Sequence, residues 1–220
     1  MKKTAVIIGA TGGIGSSLVK ALSDEYTVIA VSRSGEFACD LTSYIEINHV
    51  ISKIKTQVQT IDLLVHAAGI GTYKPILLMT DQDIQAEFMI NTIAPAIFSR
   101  ELVSLMNHDG ALVLSLGSGA GVTPMKERSI YCASKFALRG LSLSLRREYA
   151  DKKPHFCLIT LGSTLTNFGS MTVEEKQKAA ANGKAYFPVD WLVKELVKII
   201  HDSDRDDEIE LYPSEHGFGE

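Results

Sequence analysis

Residues 7–18 read IIGATGGIGSSL, an apolar run closed by four glycines in seven positions: Gly9, Gly12, Gly13 and Gly15. Two spacings overlap in it, GxxxGxG through Gly9, Gly13 and Gly15, and GxxGxxG through Gly9, Gly12 and Gly15. Either describes a strand that turns tightly into a helix, with backbone N–H groups and the positive helix end aimed at one spot. Glycine permits the turn and removes the Cβ atoms that would hold a phosphate away. The stretch therefore predicts a pyrophosphate site at the first strand-to-helix turn of an α/β sheet. A P-loop is excluded because no Gly-Lys-Ser/Thr follows, and GxGxxG fails because Leu18 stands third after Gly15.

On either side of the turn the pattern is regular. Strand-like apolar runs at 4–9, 26–32, 37–39, 61–67, 110–116, 156–161 and 208–212 alternate with helix-period segments at 14–24, 43–59, 81–107, 129–150, 172–181 and 189–201. Near-continuous apolar strands are those of a parallel sheet covered on both faces. The alternation predicts an α/β, doubly wound fold: a single, mostly parallel sheet of about seven strands with helices on both faces. At 220 residues and 45% hydrophobic, with no repeats or dividing linkers, residues 1–220 are expected to form one domain. Only residues 34–39 separate the second strand from Asp40, too few for a crossover helix. A trimmed helix is expected there in preference to a bare loop.

Composition removes several classes of function. No run approaches the roughly 18 apolar residues that cross a membrane. Met1-Lys2-Lys3 is followed by too short an apolar stretch to predict a signal peptide. Three widely spaced cysteines, Cys39, Cys132 and Cys157, suit a reducing, cytoplasmic setting rather than a disulfide framework, and no CxxC or HxxxH spacing suggests a metal. A net charge of −4 offers no footprint for nucleic acid. The acidic run HDSDRDDE at 201–208 fails the calcium-loop pattern, with Pro213 where the twelfth-position glutamate belongs, and reads as a solvated helix end.

The second strand ends in AVSRSGE, placing Ser32 and Arg33 where an adenosine ribose would lie and no acid at the tip. An acid there would hold both ribose hydroxyls of NAD, whereas a base accepts a 2′-phosphate, so NADP(H) is favoured over NAD(H). Downstream, Tyr131 and Lys135 are four apart on a predicted helix and share one face. A nearby ammonium stabilises phenolate and brings a tyrosine towards use as a general acid/base. Ser118 stands thirteen residues before Tyr131, at the end of a strand. Tyr149 and Lys153 repeat the spacing, but Phe136 occupies the corresponding upstream position and Pro154 follows, so that pair reads as a solvated terminus. Asn91 lies four before Pro95, which lacks an N–H; the helix should kink there and free the Asn91 carbonyl to hold a water.

With these residues in order, the chain resembles the short-chain dehydrogenase/reductases of the compact, single-domain branch, through nearly its whole length. IGATGGIG at 8–15, Asp40-Leu41, HAAG at 66–69, Asn91, Ser118, Tyr131 with Lys135, and LGSTLT at 161–166 match that branch's motifs in sequence. The resemblance implies Tyr131 as general acid/base, Lys135 lowering its pKa and binding the nicotinamide ribose, Ser118 polarising the substrate oxygen, and Asn91 in a water relay. It also implies that Asp40 and Leu41 meet the adenine, Ala67, Ala68 and Gly69 flank the adenosine, and Thr166 holds the carboxamide. Gly9, Thr11, Gly13, Ile14 and Gly15 would carry the pyrophosphate. The expected activity is interconversion of a small-molecule carbonyl and alcohol by hydride transfer; the alternative is a catalytically silent NADP(H)-binding sensor. A homo-oligomer, dimer or tetramer, is implied as well. A two-domain nucleotide-sugar epimerase, which uses GxxGxxG, is disfavoured by the short chain after the sixth strand.

Four positions depart from the pattern: Ile8 for a threonine, His66 for the first asparagine of NNAG, Leu161 for a proline, and Gly12 where NADP(H)-preferring members often carry a base. His66 is expected to be a buried structural histidine bonded to backbone. Substrate identity should reside in residues 70–78, 120–129 and 163–187, the last read as a flap over the substrate. Within it Phe168, Met171, Tyr186 and Phe187 could line an apolar pocket or pack the flap to the core, and the sequence leaves both open.

Overall fold

The computed structural model describes residues 2–219. Seven strands, β1 (Lys3–Ile8), β2 (Tyr26–Ser32), β3 (Phe37–Ala38), β4 (Leu63–His66), β5 (Leu112–Leu116), β6 (His155–Leu161) and β7 (Glu208–Leu211), form one sheet in the order β3-β2-β1-β4-β5-β6-β7. Every pairing is parallel. The order reverses between β1 and β4, so the turns leaving those two strands open the crevice in which ligands of such sheets bind.

The apolar strand runs follow from burial on both faces. Along β1, Ala5 and Ile7 enter one core cluster and Val6 and Ile8 the other. One face is covered by α1 (Gly13–Leu22) and α7 (Val189–His201), through Leu18, Leu22, Leu192, Leu196 and Ile200. The opposite face carries α2 (Tyr44–Gln57) and α4 (Ala94–Leu102), through Ile47, Val50, Ile54, Phe98 and Leu102. Burying each such side chain contributes about 1.5–3 kcal/mol. The remaining helices are α3 (Asp81–Phe88), α5 (Ser129–Glu148) and α6 (Val173–Ala181).

Two expectations need correction. No remnant of a helix joins β2 to β3: residues 33–36 form a bare loop, turned by Gly35 at φ 99°, and β3 pairs by only two residues. The segment 81–107 is helical but not one helix. α3 passes into a π-helical turn at Met89–Ile93, then α4, then a 3-10 turn at Val103–Met106. Pro95 cannot donate a backbone hydrogen bond, and the Ala94 N–H reaches back to the Met89 carbonyl instead, so the predicted kink takes the form of one widened turn. The acidic run is also more structural than a solvated end. Arg205 donates to the Ile199 and Ile200 carbonyls at the end of α7, and Glu208 begins β7.

Among the described residues no helix is long and apolar enough to cross a membrane, and no cluster of three or more potential ligands could hold a metal.

Candidate active site

The glycine turn shows which of its glycines are obligatory. Gly9 adopts φ 90°, and a Cβ there would lie 2.5 Å from the Ala68 backbone nitrogen, just past β4. A Cβ on Gly13 would lie 2.5 Å from the Thr166 methyl carbon, and one on Gly15 would strike the Gly9 carbonyl oxygen. Gly12 is different: its nearest obstacle is the Gly9 oxygen at 3.3 Å, to which its own N–H donates at 3.0 Å. Contact geometry therefore follows the GxxxGxG spacing. Gly12 is also the N-cap of α1, without a side-chain cap or an acid in the first turn. Uncapped N–H groups beside a surface cleared of Cβ atoms fit a pyrophosphate.

At the tip of β2, Ser32 is buried and its hydroxyl donates to the Ser34 carbonyl at 2.6 Å, whereas Arg33 is exposed. The Asp40 carboxylate accepts from the Thr42 N–H and hydroxyl at 2.9 and 2.8 Å. Those bonds, with a smaller contribution from Arg33, hold Asp40 below the usual carboxylate range. Leu41, Ala67, Ala68 and Gly69 are half-buried along the same edge, and Thr11 is exposed before α1.

Ser118 follows β5 and accepts from the Ala120 N–H at 3.2 Å. Tyr131 and Lys135, one turn apart on α5, are 5% and 4% exposed. Both side chains are nearly shut off from solvent. Burial raises the Tyr131 phenol, Tyr73 adding to the effect, while a hydrogen bond with Ser118 and the Arg128 charge oppose it. Lys135 is not among the groups lowering Tyr131; its Nζ donates to the Leu116 carbonyl at 3.0 Å, and burial pushes it down to about 8.

Asn91 is fully buried and its side chain ties two elements together. Its Oδ1 accepts from the Ile70 N–H, and its Nδ2 donates to the Ile70 carbonyl and the Ser134 hydroxyl, each at 2.9 Å. Ser134 in turn donates to the Tyr131 carbonyl at 2.8 Å. The side chain of Asn91 thus fixes the loop after β4 against the helix that carries Tyr131 and Lys135.

His66 corrects the expectation of a backbone-bonded histidine. Its Nε2 pairs with the Ser99 hydroxyl at 3.0 Å, its Nδ1 has no partner, and burial drives its pKa down to about 3. It stays neutral, inside the core. Tyr149 is likewise not simply solvated: it packs on Phe156 with ring centroids 5.2 Å apart.

Two residues of the segment 163–187 reach the residues above: Thr166 packs over Gly13, and Phe168 reaches Tyr131. Phe168 meets Tyr131 at 5.7 Å between centroids, and Tyr73 meets it edge-on at 5.5 Å. Phe168 packs against Tyr131, whereas Phe187 is buried in the core against Trp191. Sequence reasoning singled out neither Tyr73, Arg128, Ser134 nor Glu87. Only Ser134 carried a signal, standing three residues after Tyr131 on the same helix face.

Comparison with known proteins agrees with this geometry. The family model described as short chain dehydrogenase matches residues 3–177. A 3-oxoacyl-acyl-carrier-protein reductase from Rickettsia typhi is 31% identical over 199 residues, covering 81% of this chain and 79% of the relative. Carbonyl reductase family member 4 from Xenopus laevis is 28% identical over 191 residues, covering 80% and 81% respectively. The solved alcohol dehydrogenase from Thermococcus sibiricus, complexed with 5-hydroxy-NADP, superposes with a TM-score of 0.83 at 21% identity, over 97% of each chain.

Proposed function

Since the chain belongs to the short-chain dehydrogenase/reductase family, and is by that membership an oxidoreductase, we propose that it interconverts a carbonyl and an alcohol with NADP(H), using Tyr131 as general acid/base. The observation that supports this reading is the hydrogen bond between Ser118 and Tyr131, with buried Lys135 one turn on along α5 and an uncapped glycine turn where the sheet order reverses. A bound nicotinamide would supply or accept the hydride. The chain does the rest. Gly9, Gly13, Ile14 and Gly15, with Thr11, would hold the pyrophosphate; Ala67, Ala68 and Gly69 would flank the adenosine, and Asp40 and Leu41 the adenine.

Burial keeps the proton on Tyr131 at neutral pH, which suits a donor to a carbonyl oxygen. Ser118 orients that oxygen and shares its hydrogen bond with Tyr131. Lys135 is a buried cation next to where the nicotinamide ribose would lie, and Thr166, packed over Gly13, would hold the carboxamide. Asn91 acts through its side chain as the strut that sets α5. Arg33, exposed at the tip of β2, is the basis for favouring NADP(H).

The test is oxidation of NADPH and of NADH against a panel of ketones, aldehydes, quinones and pteridines. The expected result is turnover preferring NADPH, reduced about 10²–10⁴-fold in Tyr131→Phe. Unchanged turnover in that variant overturns the role of Tyr131. The occluded Tyr131 gives a silent NADP(H)-binding sensor one point in its favour; tight coenzyme binding without oxidation across the panel would decide for it.

A further inference from the structure

The catalytic tyrosine has a cation beside it that no acid neutralises. Arg128 stands three residues before Tyr131, at the N-cap of α5, and is half-buried. Its guanidinium lies over the Tyr73 ring, 4.2 Å from the centroid, and Tyr73 meets Tyr131 edge-on. Its hydrogen bond goes to the Met125 sulfur at 3.4 Å, a weak acceptor. Among the described residues Arg128 forms no ion pair. Glu87, the acid whose charge reaches both tyrosines, is fully buried and takes the Thr72 N–H instead.

An unpaired arginine on an open surface is merely solvated. This one is held. The residue before it, Glu127, has φ 60°, the one non-glycine residue among those described with positive φ. Such a conformation persists only where the surroundings impose it, and it clusters at ligand sites. A guanidinium held over an aromatic ring still has N–H groups available for a forked, planar partner.

We propose that Arg128 sets the specificity of the site by receiving an oxyanion, carboxylate or phosphate, carried on the carbonyl substrate itself. The proposal rests on the carbonyl-reductase reading above and adds the substrate class. The guanidinium lies 4.2 Å from the Tyr73 ring centroid, which is 5.5 Å from that of Tyr131, so an anion held by Arg128 sits only a few bonds of substrate from the carbon beside Tyr131. Short oxo acids and small ketone phosphates meet that description; long neutral ketones do not.

The experiment compares kcat/KM for matched pairs with the enzyme's preferred coenzyme: 4-oxopentanoate against its methyl ester, 3-oxobutanoate against its ethyl ester, and dihydroxyacetone phosphate against dihydroxyacetone. The expected result is at least a tenfold preference for the anionic member, expressed mainly in KM, with the favoured pair distinguishing carboxylate from phosphate. In Arg128→Met the anion-to-neutral ratio should fall at least tenfold, and in Arg128→Lys only partly. If Arg128→Met does not fold, the partial loss in Arg128→Lys decides. Equal use of both members by the unmodified enzyme, or an undiminished ratio in the variants, overturns the proposal and leaves the reductase reading standing. Failure to reduce any member of any pair, or any carbonyl of the wider panel, removes the reductase reading and this one with it.

Discussion

Gly9 and Gly12 differ in what a methyl group would strike. At Gly9 it meets the Ala68 backbone at 2.5 Å, on a residue already at φ 90°. Neither can yield, because Ala68 follows β4 and the Gly9 N–H is bonded to the Val31 carbonyl at 2.9 Å. Gly9→Ala should therefore lose on the order of 3 kcal/mol or more in urea unfolding. Gly12→Ala should lose about 1 kcal/mol or less, the cost of a weaker N-cap. Equal losses would argue that both glycine spacings are used. The motif was legible in the sequence because it is local; the partners of its side chains were not. His66 could be read as buried from its apolar neighbours, but Ser99 stands 33 residues away and no pattern connects them. Tyr73 beside Tyr131 is invisible for the same reason, since a contact between a loop and a distant helix leaves no period in the sequence.

Among the elements, periodicity located the seven strands and the segments that hold the seven α-helices, with boundaries moving by a few residues and 81–107 dividing in two. It could not show how 81–107 would accommodate Pro95, because the missing N–H names the broken bond and not the carbonyl that finds a new donor. Residues 163–187 posed the opposite problem. In the sequence Lys176 is one cation among several on a polar helix, yet it is 8% exposed, and its Nζ donates to the Thr166 and Phe168 carbonyls at 2.7 and 2.6 Å. The α6 helix, begun by a Thr172–Glu175 capping box, is thus pinned to the residues that cover Gly13 and Tyr131. Lys176→Met keeps the stem and removes the donor, leaving two carbonyls unpaired at a cost of about 1–3 kcal/mol. If opening is fast relative to cleavage, thermolysin should cut within 163–187 about tenfold faster or more. An unchanged cleavage rate would mean that the ammonium does not hold this segment in place.

At the scale of the molecule, the sheet's exposed edge at β7 is secured by charge as well as by its ladder with β6. Arg139 on α5 holds Glu208 with two bonds of 2.7 Å, and the Thr160 hydroxyl joins the same carboxylate at 3.1 Å. Arg146 adds Asp207 at 2.5 Å, so the helix carrying Tyr131 and Lys135 is clamped to the last strand. The run 201–208 looked like a solvated helix end because acids alone do not reveal their arginines, which lie more than sixty residues earlier. The Arg139 hydrogen bonds hold the Glu208 carboxyl below the usual carboxylate range. A carboxylate depressed in the folded state contributes stability in full above the unfolded pKa and loses it as pH falls through the folded one. Because Arg139 is 39% exposed, water screens the pair, and its contribution is about 1 kcal/mol. Glu208→Gln should therefore unfold at lower urea concentration at pH 7, and the gap from the unmodified protein should close towards pH 3. A gap of equal size at both pH values would assign the effect to packing at β7 rather than to the ion pair.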